Sequence, residues 1–126
     1  MKYISTDKAP AAIGPYSQGI IAGDMVFLSG QIGVNPADGN APEGIEAQAE
    51  QACKNVGELL KEAETDFSHV VKTTCFLADM GDFKAFNQIY EKYFISKPAR
   101  SCVAVKDLPA GMLCEVEAVA FIGDNE

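Results

Sequence analysis

The chain is poor in the residues on which several common chemistries depend. It has one histidine, His69, and its four cysteines (Cys53, Cys75, Cys102 and Cys114) form no Cys-x-x-Cys pair. A zinc site needs closely spaced Cys and His ligands, so no metal is expected. Each cysteine sits in an apolar context, which fits four reduced thiols in a reducing cytosol and places the chain in the cytoplasm. Lys and Arg number 10 against 18 Asp and Glu, giving a formal charge of −8 with no basic run. Binding to a phosphate backbone requires clustered cations, so no nucleic acid partner is expected. No apolar run approaches the roughly 20 residues that cross a bilayer. The N-terminal Met1–Lys8 also lacks the apolar centre of a signal peptide, so no membrane partner is expected.

What remains is an ordinary globular composition. At 126 residues and 48% hydrophobic content, the chain suits a single domain over 1–126 with a real core. A short strand is expected over 2–6, then a loop over 8–15, where Pro10, Gly14 and Pro15 fall. A hairpin of Tyr16–Gly23 and Met25–Ile32 follows, turning at Gly23-Asp24. Ser29-Gly30-Gln31 interrupts the second strand, and a glycine inside a strand marks a bulge, a close approach, or only a weak strand end. Ile45 to Ala63 shows the clearest helical period: Ile45, Ala49, Ala52, Cys53, Val56, Leu59, Leu60 and Ala63 recur at three- and four-residue steps. His69 to Ala78 reads as a strand, with His69 in a surface or capping role. Asp82 reads as the N-cap of a second helix over Phe83–Phe94. That helix has an aromatic stripe of Phe83, Phe86, Tyr90, Tyr93 and Phe94, broken by the polar Asn87.

The last 29 residues read as a β-hairpin, Pro98–Val105 and Met112–Phe121, turning at Pro109-Ala-Gly111, with a polar tail over 123–126. Arg100, Cys102 and Ala104 share one face of its first strand, and Glu115, Glu117, Val119 and Phe121 one face of its second. If the two strands are neighbours, a guanidinium suited to carboxylates and a carboxylate in an apolar setting converge. A structural Arg–Glu pair, or two charges facing water, is the alternative. The element order is β-β-β-α-β-α-β-β. Two singly amphipathic helices cover one face of a six-stranded sheet. The other face, assigned here to Val26, Leu28, Ile32, Val103 and Val105, is too apolar for water and predicts a closed homo-oligomer.

Taken together, Ala11-Ala-Ile-Gly-Pro-Tyr-Ser-Gln18, Phe27-Leu-Ser-Gly-Gln-Ile32, the Asn87 helix, Pro98-Ala-Arg-Ser-Cys-Val103, Leu108-Pro-Ala-Gly111 and Glu115-Val-Glu-Ala118 resemble the RidA/YjgF family of reactive intermediate deaminases, in its arginine-bearing RidA branch. The resemblance spans nearly the whole chain. It implies a chorismate-mutase-like α+β fold, a homotrimer with sites between subunits, and hydrolysis of 2-imino acids to 2-keto acids and ammonia with no metal or organic cofactor. Carried over by position, it implies that Arg100 clamps the substrate carboxylate and Glu115 activates water and moves protons. Tyr16, Ser29, Gly30, Asn87 and Cys102 would complete the pocket, with Cys102 not a nucleophile. Gly19 and Cys114 depart from the family pattern without removing a functional group. Competing functions are a non-catalytic keto acid or amino acid binding or regulatory protein, and a holdase chaperone.

Overall fold

A computed structural model describes residues 1–124; residues 125–126 of the expected polar tail lie outside the described part. Strands β1 (Lys2–Ile4), β2 (Gly19–Ala22) and β3 (Met25–Ile32) precede α1 (Ile45–Glu62). Then come β4 (Val70–Leu77), α2 (Phe83–Tyr93), β5 (Ala99–Ala104) and β6 (Cys114–Phe121). The order matches the sequence reading, and the six strands form one mixed sheet in the order β1-β2-β3-β6-β4-β5. Both helices lie on one face. The core between layers is made by Ala52, Cys53, Val56, Leu59 and Leu60 of α1, Phe86 and Tyr90 of α2, and inward sheet residues such as Val26, Cys75 and Val116.

The expected C-terminal hairpin does not form. β6 lies between β3 and β4, antiparallel to both, while β5 pairs in parallel with β4 at the sheet edge. A crossover through α2 lets β5 run parallel to β4 and satisfies its backbone there, and β6 then closes the gap to the N-terminal strands. The outer face is also composed differently from the expectation. Val26 and Leu28 are buried under the helices and Phe27 (47% exposed) takes their place on the outer face, while Val103 (46% exposed) and Ile32, level with Glu115, lie on that face as expected. The run Met25–Leu28 carries no polar residue to mark its parity, and the parity read from it was inverted.

Other boundaries moved for identifiable reasons. β2 begins at Gly19, not at Tyr16, because Gln18 turns inward as the organiser of the preceding loop. Its amide oxygen accepts from Thr6 N–H at 2.7 Å, and its amide nitrogen faces the carbonyls of Thr6, Ala9 and Pro10 at 3.0, 3.3 and 2.8 Å. Replacing Gln18 with Leu strands these backbone groups in a buried setting. The expected cost is about 2–4 kcal/mol, read as a lower urea midpoint at an unchanged slope; a wild-type midpoint would contradict this role. Asp82 stands at the start of α2, but its side chain makes no capping bond. A single 3₁₀ turn, Met80–Asp82, feeds directly into the helix, and Asp79 caps that turn by accepting from Gly81 N–H at 2.7 Å. His69 closes another 3₁₀ turn ahead of β4, held by Asp66 at 2.9 Å and by the Gly123 carbonyl at 2.8 Å, in keeping with a capping role. Among the described residues, no helix is long and apolar enough to cross a membrane.

Candidate active site

Arg100 and Glu115 lie on opposite faces of the sheet. Arg100 is level with Thr73 on β4, whose side chain is buried under α2, so the guanidinium points to the helix side. Glu115 alternates with the buried Cys114 and Val116 and is level with Ile32 and Phe76, so its carboxyl points to the uncovered side. The convergence expected within one hairpin therefore does not occur within one chain. A direct structural Arg–Glu pair is excluded by the same geometry.

The surroundings of Arg100 are built by α2. Asn87 Oδ1 accepts from Arg100 Nη1 at 2.8 Å. The guanidinium carbon stands 4.8 Å from the centre of the Tyr90 ring and 5.6 Å from that of Phe83. Tyr90 is itself fixed, stacking on Phe94 at 4.3 Å and sharing a 2.6 Å hydrogen bond with Thr73. An arginine between aromatic faces with one side chain amide on its fork is held in place but not neutralised. Among the described residues the one ion pair is His69–Asp66. A half-buried cation without a counter-charge is a receptor for an anion, and a planar carboxylate matches its fork. The adjoining hollow, about 600 Å³, is lined by Asn87, Tyr90, Phe94, Pro98 and Arg100, among others. Asn87, the polar break in the aromatic stripe, thus ties α2 to Arg100 on β5 and borders the same hollow. Tyr90 and Phe83 are the members that the sequence reading assigned only to the core stripe. Phe83 is 36% exposed, and that exposure leaves its ring available to the guanidinium.

Glu115 borders an apolar hollow of about 340 Å³ enclosed by three loops, with Tyr16, Gly30, Ile32, Val34 and Pro109 among its other walls. The register between β3 and β6 slips between Leu28 and Gln31, where three steps on β3 face two on β6. Gly30 lies in that bulge, and a Cβ there would collide with Glu115 Oε2 and come within 2.8 Å of its Cδ. The glycine is therefore both a bulge and a close approach. Burial, with a smaller contribution from Glu117, pushes the Glu115 carboxyl above its ordinary value. That shift brings it nearer to the range of an acid/base group.

Ser29 and Cys102 play other parts. The Ser29 hydroxyl donates to the Ser17 carbonyl at 2.5 Å and its N–H to the Gln18 carbonyl, pinning the Tyr16 loop to β3. Cys102 packs against the core beside Cys75, its neighbour in register. Burial holds its thiol above the ordinary range while Arg100 pulls weakly the other way, so it is a poor thiolate. Neither residue borders the two hollows. Cys114 faces the core, its thiol pushed up to about 12 by burial, as its packing role predicts.

The comparisons agree with this architecture. Residues 6–122 match the family model described as Endoribonuclease L-PSP. A mouse (Mus musculus) protein named 2-iminobutanoate/2-iminopropanoate deaminase is 52% identical over 124 residues, covering 97% of this chain and 92% of the mouse protein. Reactive Intermediate Deaminase A, chloroplastic, of Arabidopsis thaliana is 52% identical over 121 residues, covering 94% of this chain and 65% of the plant protein. Among solved structures, E. coli TdcF with bound serine superposes with a TM-score of 0.94 at 39% identity, covering 98% of this chain and 100% of that one. With the strand order, the two hollows and these matches in hand, the chain belongs to the Endoribonuclease L-PSP family, the RidA/YjgF family that its motifs resemble.

Proposed function

We propose that the protein is a 2-imino acid deaminase of the 2-iminobutanoate/2-iminopropanoate class, working in the cytoplasm as a homotrimer. The observation that carries this reading is the separation of Arg100 and Glu115 onto opposite faces of one sheet. An unneutralised guanidinium on edge strand β5 and a carboxyl in an apolar hollow become one site only when two chains meet. A cyclic assembly with head-to-tail contacts supplies three such meetings and covers the outer face bearing Phe27 and Val103. Supporting the substrate class are the deaminase name of the mouse relative and the serine in TdcF, an amino acid that carries the same α-carboxylate.

In this site Arg100 holds the carboxylate of R–C(=NH)–COO⁻ in a two-pronged bond. Glu115 of the adjoining subunit, ionised, takes a proton from water as the oxygen attacks C2. It then returns the proton to nitrogen to give the carbinolamine R–C(OH)(NH2)–COO⁻, takes up the proton of its hydroxyl group and passes it to the amine, and the C–N bond breaks as the C=O bond forms, giving the 2-keto acid and ammonia. The apolar wall limits competing water, and fixed orientation supplies much of the modest extra rate that a spontaneously hydrolysing imine requires. Cleavage of RNA, the activity in the family's description, lacks such support. The chain carries a formal charge of −8, and its single histidine is engaged by Asp66 and Gly123.

The deciding experiment generates 2-iminobutanoate and 2-iminopropanoate in situ with a dehydratase and follows keto acid release. Acceleration over the uncatalysed rate is expected, and its absence on both substrates would end the deaminase reading. Two further results are expected. Since Glu115 must be ionised to accept the proton, kcat/KM falls as pH drops through an apparent pKa above 4.5, the ordinary glutamate value. An acid limb at or below 4.5 would remove Glu115 from that role. Gly30→Ala lowers kcat on the order of 100-fold, the scale at which a displaced catalytic group fails, while the far-UV spectrum is unchanged. Wild-type turnover in that variant would mean that the Glu115 position is not critical.

A further inference from the structure

We infer that Gln48 is a positioning residue for Glu115, acting through the backbone of the strand end that carries it. This inference rests on the acid/base role proposed for Glu115.

Glu115 sits where the β3–β6 ladder runs out. Ile32↔Glu115 is the last pair on that side, and β6 begins one residue earlier, at Cys114. On its other side the β4 ladder carries β6 one pair further, to Leu77↔Cys114, and a strand end beyond its last rung opens readily unless something else takes its donors and acceptors. Here the Leu113 N–H donates to Gln48 Oε1 at 2.8 Å, and the Leu113 carbonyl accepts from Ala78 N–H at 3.0 Å. Both backbone polar groups of Leu113, the residue flanking the strand, are thus held, one of them by a side chain from α1.

The other end of the same amide holds the opposite lip of the hollow. Gln48 Nε2 donates to the Pro42 carbonyl at 3.0 Å, in the loop that runs from Val34 to Gly44. Val34, Asn35 and Pro36 of that loop border the Glu115 hollow, as do Pro109 and Ala110 of the loop ahead of Leu113. Gly33 rests directly on the backbone of Gln48, where a Cβ would meet the carbonyl oxygen at 2.5 Å. Seven residues on, along the same side of α1, the buried Asn55 donates to the carbonyls of Ile32 and Val34 at 3.0 and 2.9 Å. Gln48 is only 8% exposed, so its bonds work without competition from water. Among the described residues it is the single side chain bonded to both loops, and its oxygen fixes the peptide two residues from the carboxyl that must meet substrate.

The experiment compares Gln48→Met, which keeps length but loses both bonds, with Gln48→Glu, which still offers an oxygen to Leu113 N–H but no amide donor to Pro42. For Gln48→Met, kcat for 2-imino acid hydrolysis is expected to drop about tenfold or more with KM within about twofold, because the Arg100 clamp is untouched. Gln48→Glu is expected to recover most of that loss. Amide hydrogen exchange at Leu113 and Glu115 should accelerate in Gln48→Met and return towards wild type in Gln48→Glu. Equal kcat loss in both variants, or a wild-type kcat in Gln48→Met alongside a lowered Tm, would overturn the assignment and leave Gln48 a stability residue. Unchanged exchange at Leu113 and Glu115 would overturn it as well. The exchange measurement needs no substrate, so it judges Gln48 even if the wild-type protein hydrolyses no imine.

Discussion

Arg100→Ala is expected to reduce kcat/KM for 2-imino acid hydrolysis by roughly 100- to 1,000-fold with little change in Tm. Two charge-assisted hydrogen bonds contribute about 1.5–3 kcal/mol each, and solvent screening at a half-buried cleft takes part of that back. At about 1.4 kcal/mol per tenfold, a net 3–4 kcal/mol gives the stated range. The fold should tolerate the change, since the guanidinium has no ionic partner among the described residues and sits on an edge strand. Arg100→Lys should recover only a minor part. A lysine ammonium can neutralise a carboxylate, but it cannot present a planar fork while lying between Tyr90 and Phe83 and accepting the guidance of Asn87. Wild-type kcat/KM in Arg100→Ala, measured on either imine, would move the carboxylate site away from this hollow.

Glu115→Gln is expected to lose about 100- to 10,000-fold in kcat, the usual contribution of a positioned acid/base. It should also be slightly more stable than wild type near neutral pH. Because burial raises the folded carboxyl above its unfolded value, ionisation opposes folding as pH rises through that window, and the neutral amide escapes the penalty. The sharper result comes from mixing. If each site takes Arg100 from one subunit and Glu115 from the next, co-refolded Arg100→Ala and Glu115→Gln chains regain activity that neither possesses alone. With equal amounts in a cyclic head-to-tail trimer, roughly one site in four draws both groups from intact positions, so about a quarter of wild-type activity should return. No recovery on mixing, with mixed trimers verified by native mass spectrometry, would mean that Arg100 and Glu115 do not share a site between subunits.

The sequence carried the element order plainly, because the apolar periods of α1 and α2 differ so clearly from the strand runs around them. It carried the chemistry through misfits: an arginine and a glutamate in apolar strands, a glycine in mid-strand, an amide on an aromatic stripe. It could not carry the strand order. Beside a Pro-Ala-Gly turn, two apolar runs read as neighbours, and nothing local reveals that a third strand laid down 30 residues earlier takes the place between them. That error led directly to the convergence of Arg100 and Glu115 in one chain. Nor could the period distinguish inward from outward in Met25–Leu28, where every residue is apolar. Gln18, Gln48 and Asn55 escaped notice because their importance lies in which carbonyls they reach. Their one visible mark was the presence of amides on otherwise buried faces of loop and helix.

The position of β6 at the centre of the sheet has a bearing on how the chain is made. Translation delivers β1–β3 and then β4–β5, and these two blocks share no ladder with each other until residues 114–121 have left the ribosome. Up to that moment each block shows a long unpaired edge, the feature that invites pairing with other nascent chains. The strand synthesised last is therefore the keystone. Any lesion that stops synthesis before residue 114 leaves two half-sheets that nothing can join, and quality control meets such a product as an aggregation hazard, not merely as an inactive enzyme.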